Sequence, residues 1–179
     1  MQGLMMDFPL IITSIMEHAE RVHGAQEIVS VTRDNPRHRY TYADAFGRVR
    51  QLANAMNAWG MASSDRIATL AWNDYRHFET YYASACSGYV CHTINPRLFP
   101  EQIVYIINHA EDQFVFLDPD FWPLIEQVAP QCPGVKGWVV MTTAEHMPET
   151  TLTNVHCYED VIANQSDSFN WPAIDENEA

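Results

Sequence analysis

The stretch from residue 66 to residue 141 contains four short apolar runs: RIATLA (66–71), YVCHTI (89–94), FVFL (114–117) and GWVVM (137–141). Each run has the length and character of a buried strand, and apolar residues at helical spacing follow each of the first three. The centres of the runs lie 23, 25 and 24 residues apart, which suits one strand, one helix and two short loops. This spacing predicts the α/β class, with a mostly parallel sheet built from successive βαβ units and flanked by helices.

The segments between these runs begin with residues typical of helix starts. Asn73 is positioned to cap the helix after the first run. Pro100 opens the helix after the second run, at a position where proline is tolerated. Asp118 precedes Pro119 after the third run, and we interpret it as a helix cap in preference to a general base.

The first 60 residues predict an additional helix-and-hairpin region. Apolar residues at helical spacing indicate an amphipathic helix over Pro9–His23. Two short strands, Glu27–Thr32 and Arg39–Tyr42, flank a turn. The pattern Thr41-x-x-Asp44 then resembles a capping box at the start of a long helix.

The pattern weakens after Met141. Residues 158–163 predict one or two helical turns, and residues 166–179 show no periodicity and end in acidic side chains. We therefore predict one α/β unit over residues 1–165, followed by a linker or tail over residues 166–179.

The charge of the chain is strongly acidic and unevenly distributed. The 23 acidic and 10 basic residues give a formal net charge of −13, and the whole excess lies after residue 100, where Lys136 is the only Lys or Arg. Such a chain lacks the basic stripe that nucleic-acid phosphates require and the polybasic face that anionic membranes attract. Nucleic acid is therefore excluded as an expected partner.

The cysteines and the N-terminal apolar run favour a cytoplasmic protein. The four cysteines form no C-x-x-C motif and no Cys–His pair at zinc spacing, so we expect reduced thiols and no metal site. The run Phe8–Met16 is too short to cross a bilayer and lacks the basic start of a signal peptide. We expect no transmembrane segment.

Ligands of an open α/β sheet bind beside the carboxyl ends of its strands. Three loops are predicted there, at residues 72–74, 95–99 and 118–120. The middle loop contains Arg97, the only Lys or Arg between Arg76 and Lys136. Its guanidinium suits a phosphate, and it equally suits an ion pair with Glu101 four residues later. The residues alone leave both interpretations open.

Other polar residues have simpler structural explanations. His109 ends a predicted helix, and no nucleophile is visible beside it, so capping of helix carbonyls is favoured over catalysis. Three adjacent carboxylate pairs are expected on solvated faces: Glu111-Asp112, Glu159-Asp160 and Asp175-Glu176.

Several motifs resemble medium- and long-chain fatty-acid–CoA ligases of the adenylate-forming, or AMP-binding, superfamily. The matching stretches are DRIATLAWN (65–73), HTINPRLFPEQI (92–103) and YIINHAED (105–112), with YTYAD (40–44) resembling an earlier strand-to-helix entry. The resemblance covers about residues 7–172.

The resemblance implies an enzyme that makes acyl-AMP and pyrophosphate from a fatty acid and ATP, with Mg²⁺ assisting, and then passes the acyl group to CoA. The family's Ser/Thr/Gly-rich nucleotide loop, which ends in Lys-Gly, does not occur in these 179 residues. The resemblance therefore implies the N-terminal part of a ligase, without catalytic residues and inactive alone.

The resemblance also implies two contacts. In relatives that use CoA, the loop matching Asn95, Pro96 and Arg97 approaches the nucleotide end of CoA. The helix Pro9–His23 resembles a segment through which some relatives form homodimers, so residues 1–24 are a candidate dimer contact. The remainder of the ligase chain is the other implied partner.

The alternative function is a self-contained flavodoxin-like binding or dimerisation module without catalysis.

Overall fold

The computed structural model describes residues 3, 4 and 8–178. In chain order these residues form α1 (Ile12–His23), β1 (Glu27–Ser30), β2 (His38–Thr41), α2 (Tyr42–Ala58), β3 (Arg66–Leu70), α3 (Tyr75–Cys86), β4 (Val90–Thr93), α4 (Pro100–Ala110), β5 (Phe114–Leu117), α5 (Trp122–Val128), β6 (Gly137–Val140), β7 (Val155–Cys157) and α6 (Tyr158–Ala163). Single 3₁₀ turns cover Pro119–Phe121, Ala129–Gln131 and Ala144–His146.

Five strands form one parallel sheet in the order β4-β3-β5-β6-β7. The predicted α/β class and parallel sheet are confirmed, and all four apolar runs are strands of this sheet. The fifth strand, β7, was not predicted. Counted along the chain, the order is 2-1-3-4-5, which is the flavodoxin-like arrangement.

Helices cover both faces of the parallel sheet. On one face, Ile67 and Phe116 pack in a cluster with residues of α1, α2, α3 and α6. On the other face, Ala68 and Val115 pack with residues of α4 and α5. Because successive side chains point to opposite faces, strands covered on both sides must be apolar throughout. All four residues of β5 are buried accordingly.

Strands β1 and β2 form a separate antiparallel hairpin. Its last residue, Thr41, begins α2 with the predicted capping box. The Thr41 hydroxyl accepts the Asp44 N–H at 3.2 Å, and the Asp44 carboxylate accepts the Thr41 N–H at 2.9 Å. The hairpin contacts the start of α3 through Tyr40 and Tyr75.

Three predicted helix starts differ from the structure. Asp74, not Asn73, caps α3 by accepting the N–H groups of Arg76 and His77 at 2.9 and 3.1 Å. Asp118 makes no side-chain cap, because its carboxylate accepts a hydrogen bond from another loop. Helix α1 begins at Ile12 rather than Pro9, since Ile11 is still extended.

Helix α1 buries a narrower stripe than its apolar pattern predicts. Met16 is fully buried in the core cluster that contains Ile67 and Phe116, and Ile12 and Ala19 are partly buried against the same cluster. Within residues 8–23, four apolar side chains are more than half exposed: Phe8, Leu10, Ile15 and Val22. The N-terminal region therefore exposes several apolar side chains on its outer surface.

The last described segment, residues 166–178, contains no helix or strand. It nevertheless packs along α2, and we call it the C-terminal strap. Arg50 and Asn54 of α2 donate to its backbone carbonyls at Asp167, Ser166 and Ser168. Trp171 packs against the core cluster beneath the strap.

No helix in the described part of the chain is long and apolar enough to cross a membrane. The four cysteines, all within the described residues, are free thiols.

Candidate functional site

The strand order creates a crevice at the carboxyl edge of the sheet, between β3 and β5. The chain leaves β3 through α3 toward β4 and leaves β5 through α5 toward β6, so the two connections diverge. Such switch points are the usual ligand sites of open α/β sheets. Two of the three predicted ligand loops meet here, because the Trp72 N–H donates to Asp118 and the Trp72 indole donates to Asp120 at 3.1 Å.

A cavity of about 270 Å³ lies beside this crevice, and we call it the carboxyl-edge cavity. It is lined by residues of the β1–β2 turn, the start of α3 and the segments after β5 and β6: Thr32, Arg33, Asp34, Arg76, Asp118, Pro119, Met141, Thr142, His146 and Pro148. The third predicted loop, around Arg97, does not line it.

Asp118 is the most perturbed carboxyl group of this cavity. Only 7% of the residue is exposed. Burial raises the pKa of Asp118 to about 7, and the nearby charges of Asp74 and Asp120 add to this effect. The hydrogen bond from the Trp72 N–H acts in the opposite direction and lowers the pKa. One oxygen, Oδ2, accepts that N–H, whereas Oδ1 receives no hydrogen bond from residues 8–178. Near neutral pH this carboxyl group is therefore close to half ionised.

Arg76 forms the inner wall of the cavity and is only 2% exposed. It pairs with Asp34 at 2.8 Å and with Glu159 at 2.7 Å, and it donates to the Met141 carbonyl at 3.1 Å. Burial opposes ionisation of both partner carboxylates, but their hydrogen bonds and charge contacts hold the pKa of Asp34 and of Glu159 below its ordinary value. Arg76 thus joins the hairpin turn, the end of β6 and α6 at one point.

A second layer of ion pairs lies behind Arg76. Arg48 of α2 contacts both oxygens of Glu159 at 3.1 and 3.2 Å, and it contacts Glu79 at 2.8 Å. Glu79 is fully buried and also accepts the Tyr158 hydroxyl at 2.7 Å. Because each buried charge has a partner, the network can hold its helices in one arrangement.

The expectation of solvated carboxylate pairs is wrong for two members. Glu159 belongs to the network around Arg76, and Asp112 is 1% exposed. Both Asp112 oxygens contact His92 Nδ1, at 2.9 and 3.0 Å. The partners lie 20 or more residues away in sequence. For Glu159, a signal was available in the sequence. Arg48 and Arg76 occur within helices that are otherwise rich in buried residues, so a carboxylate partner for them could have been expected.

The loop after β4 places Asn95, Pro96 and Arg97 at the same edge of the sheet. The Asn95 side chain accepts the Arg97 N–H at 3.0 Å, which forms a local turn. The Arg97 side chain is exposed and makes no ion pair within the described chain, so the predicted alternative of pairing with Glu101 is not found.

His109 lies in the last turn of α4, as predicted. Its ring stacks on Tyr105 with centroids 5.3 Å apart, and over residues 8–178 it makes no hydrogen bond to a helix carbonyl. The predicted capping role is therefore replaced by stacking. No three His, Cys, Asp or Glu side chains of the described residues come together to hold a metal ion.

Together, the parallel sheet, its switch-point crevice and the adjoining cavity place the protein in the open α/β class, in which ligands generally bind at the carboxyl edge of the sheet. The family model for "AMP-binding enzyme" matches residues 16–173. The chain belongs to this family, as its sequence motifs predicted.

Two curated relatives are similar along the whole chain. The medium-chain-fatty-acid–CoA ligase of Ectopseudomonas oleovorans is 46% identical over 179 residues. The 3-methylmercaptopropionyl-CoA ligase of Ruegeria lacuscaerulensis is 44% identical over 179 residues. Each alignment covers 100% of this chain and 33% of the relative. The chain therefore spans about a third of the length of the curated relatives it matches.

A solved structure of an anthranilate–CoA ligase in complex with anthranoyl-AMP has the same fold. It superposes with a TM-score of 0.76 at 18% sequence identity and covers 93% of this chain and 30% of that one. At this identity the likeness establishes the fold, and it is consistent with the family match.

Proposed function

We propose that these residues form the N-terminal part of an AMP-forming acid–thiol ligase that acts on a medium-chain fatty acid. The observation that carries the proposal is the 46% identity to a medium-chain ligase along all 179 residues. In this reaction the fatty acid attacks ATP to give acyl-AMP and pyrophosphate. The thiol of CoA then displaces AMP and leaves acyl-CoA. The flavodoxin-like strand order alone fits a non-catalytic module as well, but the family match favours the ligase.

A second acid is nearly as well supported. The relative named for 3-methylmercaptopropionate is 44% identical over the same residues, so identity does not separate the two substrates. The test is acyl-CoA formation by the gene product that contains these residues, with octanoate and 3-methylmercaptopropionate compared by kcat/KM. A higher value for octanoate supports the first proposal, and a higher value for the thioether acid supports the second. Activity with neither acid would contradict both.

ATP, CoA and Mg²⁺ are the proposed cofactors of this reaction. Arg97, with Asn95 and Pro96, is the proposed contact for a phosphate of CoA. Three observations support it: the loop follows a strand at the carboxyl edge, the guanidinium is exposed, and it has no ion-pair partner within the described chain. A guanidinium forks readily onto phosphate oxygens. We propose that Mg²⁺ enters with the phosphates of ATP.

The 179-residue chain by itself is proposed to be inactive. Its sequence contains no Ser/Thr/Gly-rich loop ending in Lys-Gly that would cradle the phosphates of ATP. ATP–pyrophosphate exchange measured on this chain should equal the rate without enzyme for every acid tested. Exchange above that rate would contradict the proposal.

We also propose a cytoplasmic homodimer with residues 1–24 at its contact, and a division into an α/β unit (1–165) and a connecting segment (166–179). Residues 1, 2 and 5–7 of the contact lie outside the described residues. The exposed apolar surface around Ile15 and Val22 supports the proposed dimer contact. Replacing Ile15 with Glu should convert dimer to monomer in analytical ultracentrifugation, while Glu17→Gln on the same helix should not. An unchanged dimer in Ile15→Glu would contradict this contact.

A further inference from the structure

The wall of the carboxyl-edge cavity contains two arginines and two aspartates, and one of these aspartates, Asp118, has no ion-pair partner among the described residues. Both arginines of the wall already form ion pairs, because Arg76 pairs with Asp34 and Arg33 pairs with Asp120 at 2.7 Å. Asp118 is the remaining carboxyl group and has no cationic partner at ion-pair distance in the described chain. A cation that enters the cavity could pair with the Asp118 carboxylate, whereas an anion would be repelled by it.

Asp118 is held in a position to bind a ligand. It is more than nine-tenths buried, and its Oδ2 atom is fixed by the Trp72 N–H. Oδ1 has no hydrogen-bond partner among residues 8–178, and the residue lines the cavity. A carboxylate oxygen at the wall of a cavity can accept a further charge-assisted hydrogen bond, so a donor that reaches Oδ1 would be stabilised there.

The size and the remaining walls of the cavity restrict what such a donor is attached to. A volume of about 270 Å³ equals that of about nine water molecules in the liquid, at roughly 30 Å³ each. This is near the lower limit for small-molecule sites. Pro119, Met141 and Pro148 give the cavity apolar walls, which suit a short hydrocarbon stem.

We propose that the carboxyl-edge cavity binds a small organic cation, a guanidinium or ammonium group on a stem of a few carbons, with Asp118 as its counter-ion. This ligand is chemically distinct from the fatty acid, ATP and CoA of the proposed ligase reaction. The same chemistry has two sources: a free amine or guanidine, and a Lys or Arg side chain from a part of the gene product outside these residues.

The test is a titration of the ¹⁵N-labelled 179-residue chain with n-propylguanidinium, matched to the neutral isostere n-propylurea. At pH 8, above the Asp118 pKa of about 7, the carboxyl group is ionised. The Trp72 backbone and indole N–H signals should shift with the cation, because both groups contact this loop. We expect the urea to bind at least about tenfold more weakly, as for loss of a charge-assisted hydrogen bond. Equal affinities would overturn the proposal without the need for any variant.

Two variants locate the binding. Asp118→Asn keeps the shape of the side chain and should weaken n-propylguanidinium binding about tenfold. Glu126→Gln, an exposed residue of α5, makes the same change of charge and should leave binding unchanged. Undiminished binding by Asp118→Asn, or no cation-dependent shift of the Trp72 signals up to about 50 mM probe, would overturn the proposal.

The same titration on the complete gene product distinguishes the two sources. Binding retained there indicates a free cation as the ligand. Binding present in the 179-residue chain and lost in the complete product indicates that an internal Lys or Arg occupies the cavity.

Discussion

The tripeptide Asn-Pro-Arg occurs twice in this chain, at residues 35–37 and at residues 95–97, and forms the same local turn at both places. The asparagine side chain accepts the N–H of the arginine at 3.2 Å in the first turn and 3.0 Å in the second. Both arginine side chains are exposed. Local sequence therefore specifies the turn in either setting.

The surroundings of the two turns differ. The first closes the β1–β2 hairpin, and its neighbour Asp34 is tied to the buried Arg76. The second follows β4 at the carboxyl edge, and in the described chain none of its three side chains bonds to another element. The first turn is thus adjacent to the buried ion network, whereas the second leaves its arginine available to a ligand.

The largest expected effect comes from removing the ion pair between Arg76 and Asp34, next to the first turn. Arg76→Ala leaves Asp34 and Glu159 without this partner, and we expect it to lower the free energy of unfolding by about 3–5 kcal/mol at pH 7. Since the pKa values of both carboxylates are lowered in the folded chain, the loss should shrink as the pH falls toward 4. Urea denaturation of the 179-residue chain measures it. A loss of less than about 1 kcal/mol would show that the tie contributes little.

The next effect concerns Asp118, which lines the same cavity as Asp34 and has the opposite pH dependence. Burial raises its pKa from an ordinary 3.8 to about 7, so the folded chain binds this proton more tightly than the unfolded chain. The Asp118 contribution should therefore lower stability as the pH rises from 4 to 8, by up to about 4 kcal/mol.

Asp118→Asn removes this contribution. Unfolding measured from pH 4 to pH 8 should show the variant gaining stability relative to the parent chain as the pH rises. Glu126→Gln serves as the exposed control. A constant difference between Asp118→Asn and the parent across this range would be inconsistent with the raised pKa.

The third effect tests the second turn in the complete gene product. Arg97→Ala should raise the KM for CoA about tenfold, as for loss of one charge-assisted hydrogen bond, and should leave acyl-AMP formation nearly unchanged. Arg37→Ala removes the exposed arginine of the other turn and should change neither step. A similar loss in both half-reactions of Arg97→Ala would indicate a packing role instead.

The smallest effect should be the same at both turns. Asn35→Ala and Asn95→Ala each remove one exposed side-chain-to-backbone hydrogen bond, and each should cost about 0.5–1 kcal/mol of unfolding free energy. Parallel urea titrations compare them. If one variant lost more than about 2 kcal/mol, the two turns would not be equivalent locally.

Much of the fold was predictable because strands covered on both faces must be apolar along their whole length. FVFL and GWVVM are visible in the sequence for that reason. β7 was missed because it is only three residues long and contains His156. The capping position shifted from Asn73 to Asp74 because both side chains suit that role and only the backbone path selects one.

The candidate site was less predictable than the fold. The sequence identified the loops after β3 and β5, but the cavity depends on the strand order and on a hairpin turn more than 80 residues from Asp118. The burial of Asp112 and Glu159 likewise depends on partners distant in sequence. Local charge patterns cannot predict such pairs, because burial is a property of the assembled fold.

The C-terminal strap is held through its backbone carbonyls, and this affects which of its residues can be substituted. Arg50 and Asn54 of α2 grip carbonyl oxygens at Asp167, Ser166 and Ser168, which every amino acid supplies. Substitutions at these strap positions can therefore accumulate while its path stays the same, whereas the path depends on two residues more than 100 positions earlier. At these positions the path of the strap is therefore set by side chains of α2 and not by the side chains of the strap itself.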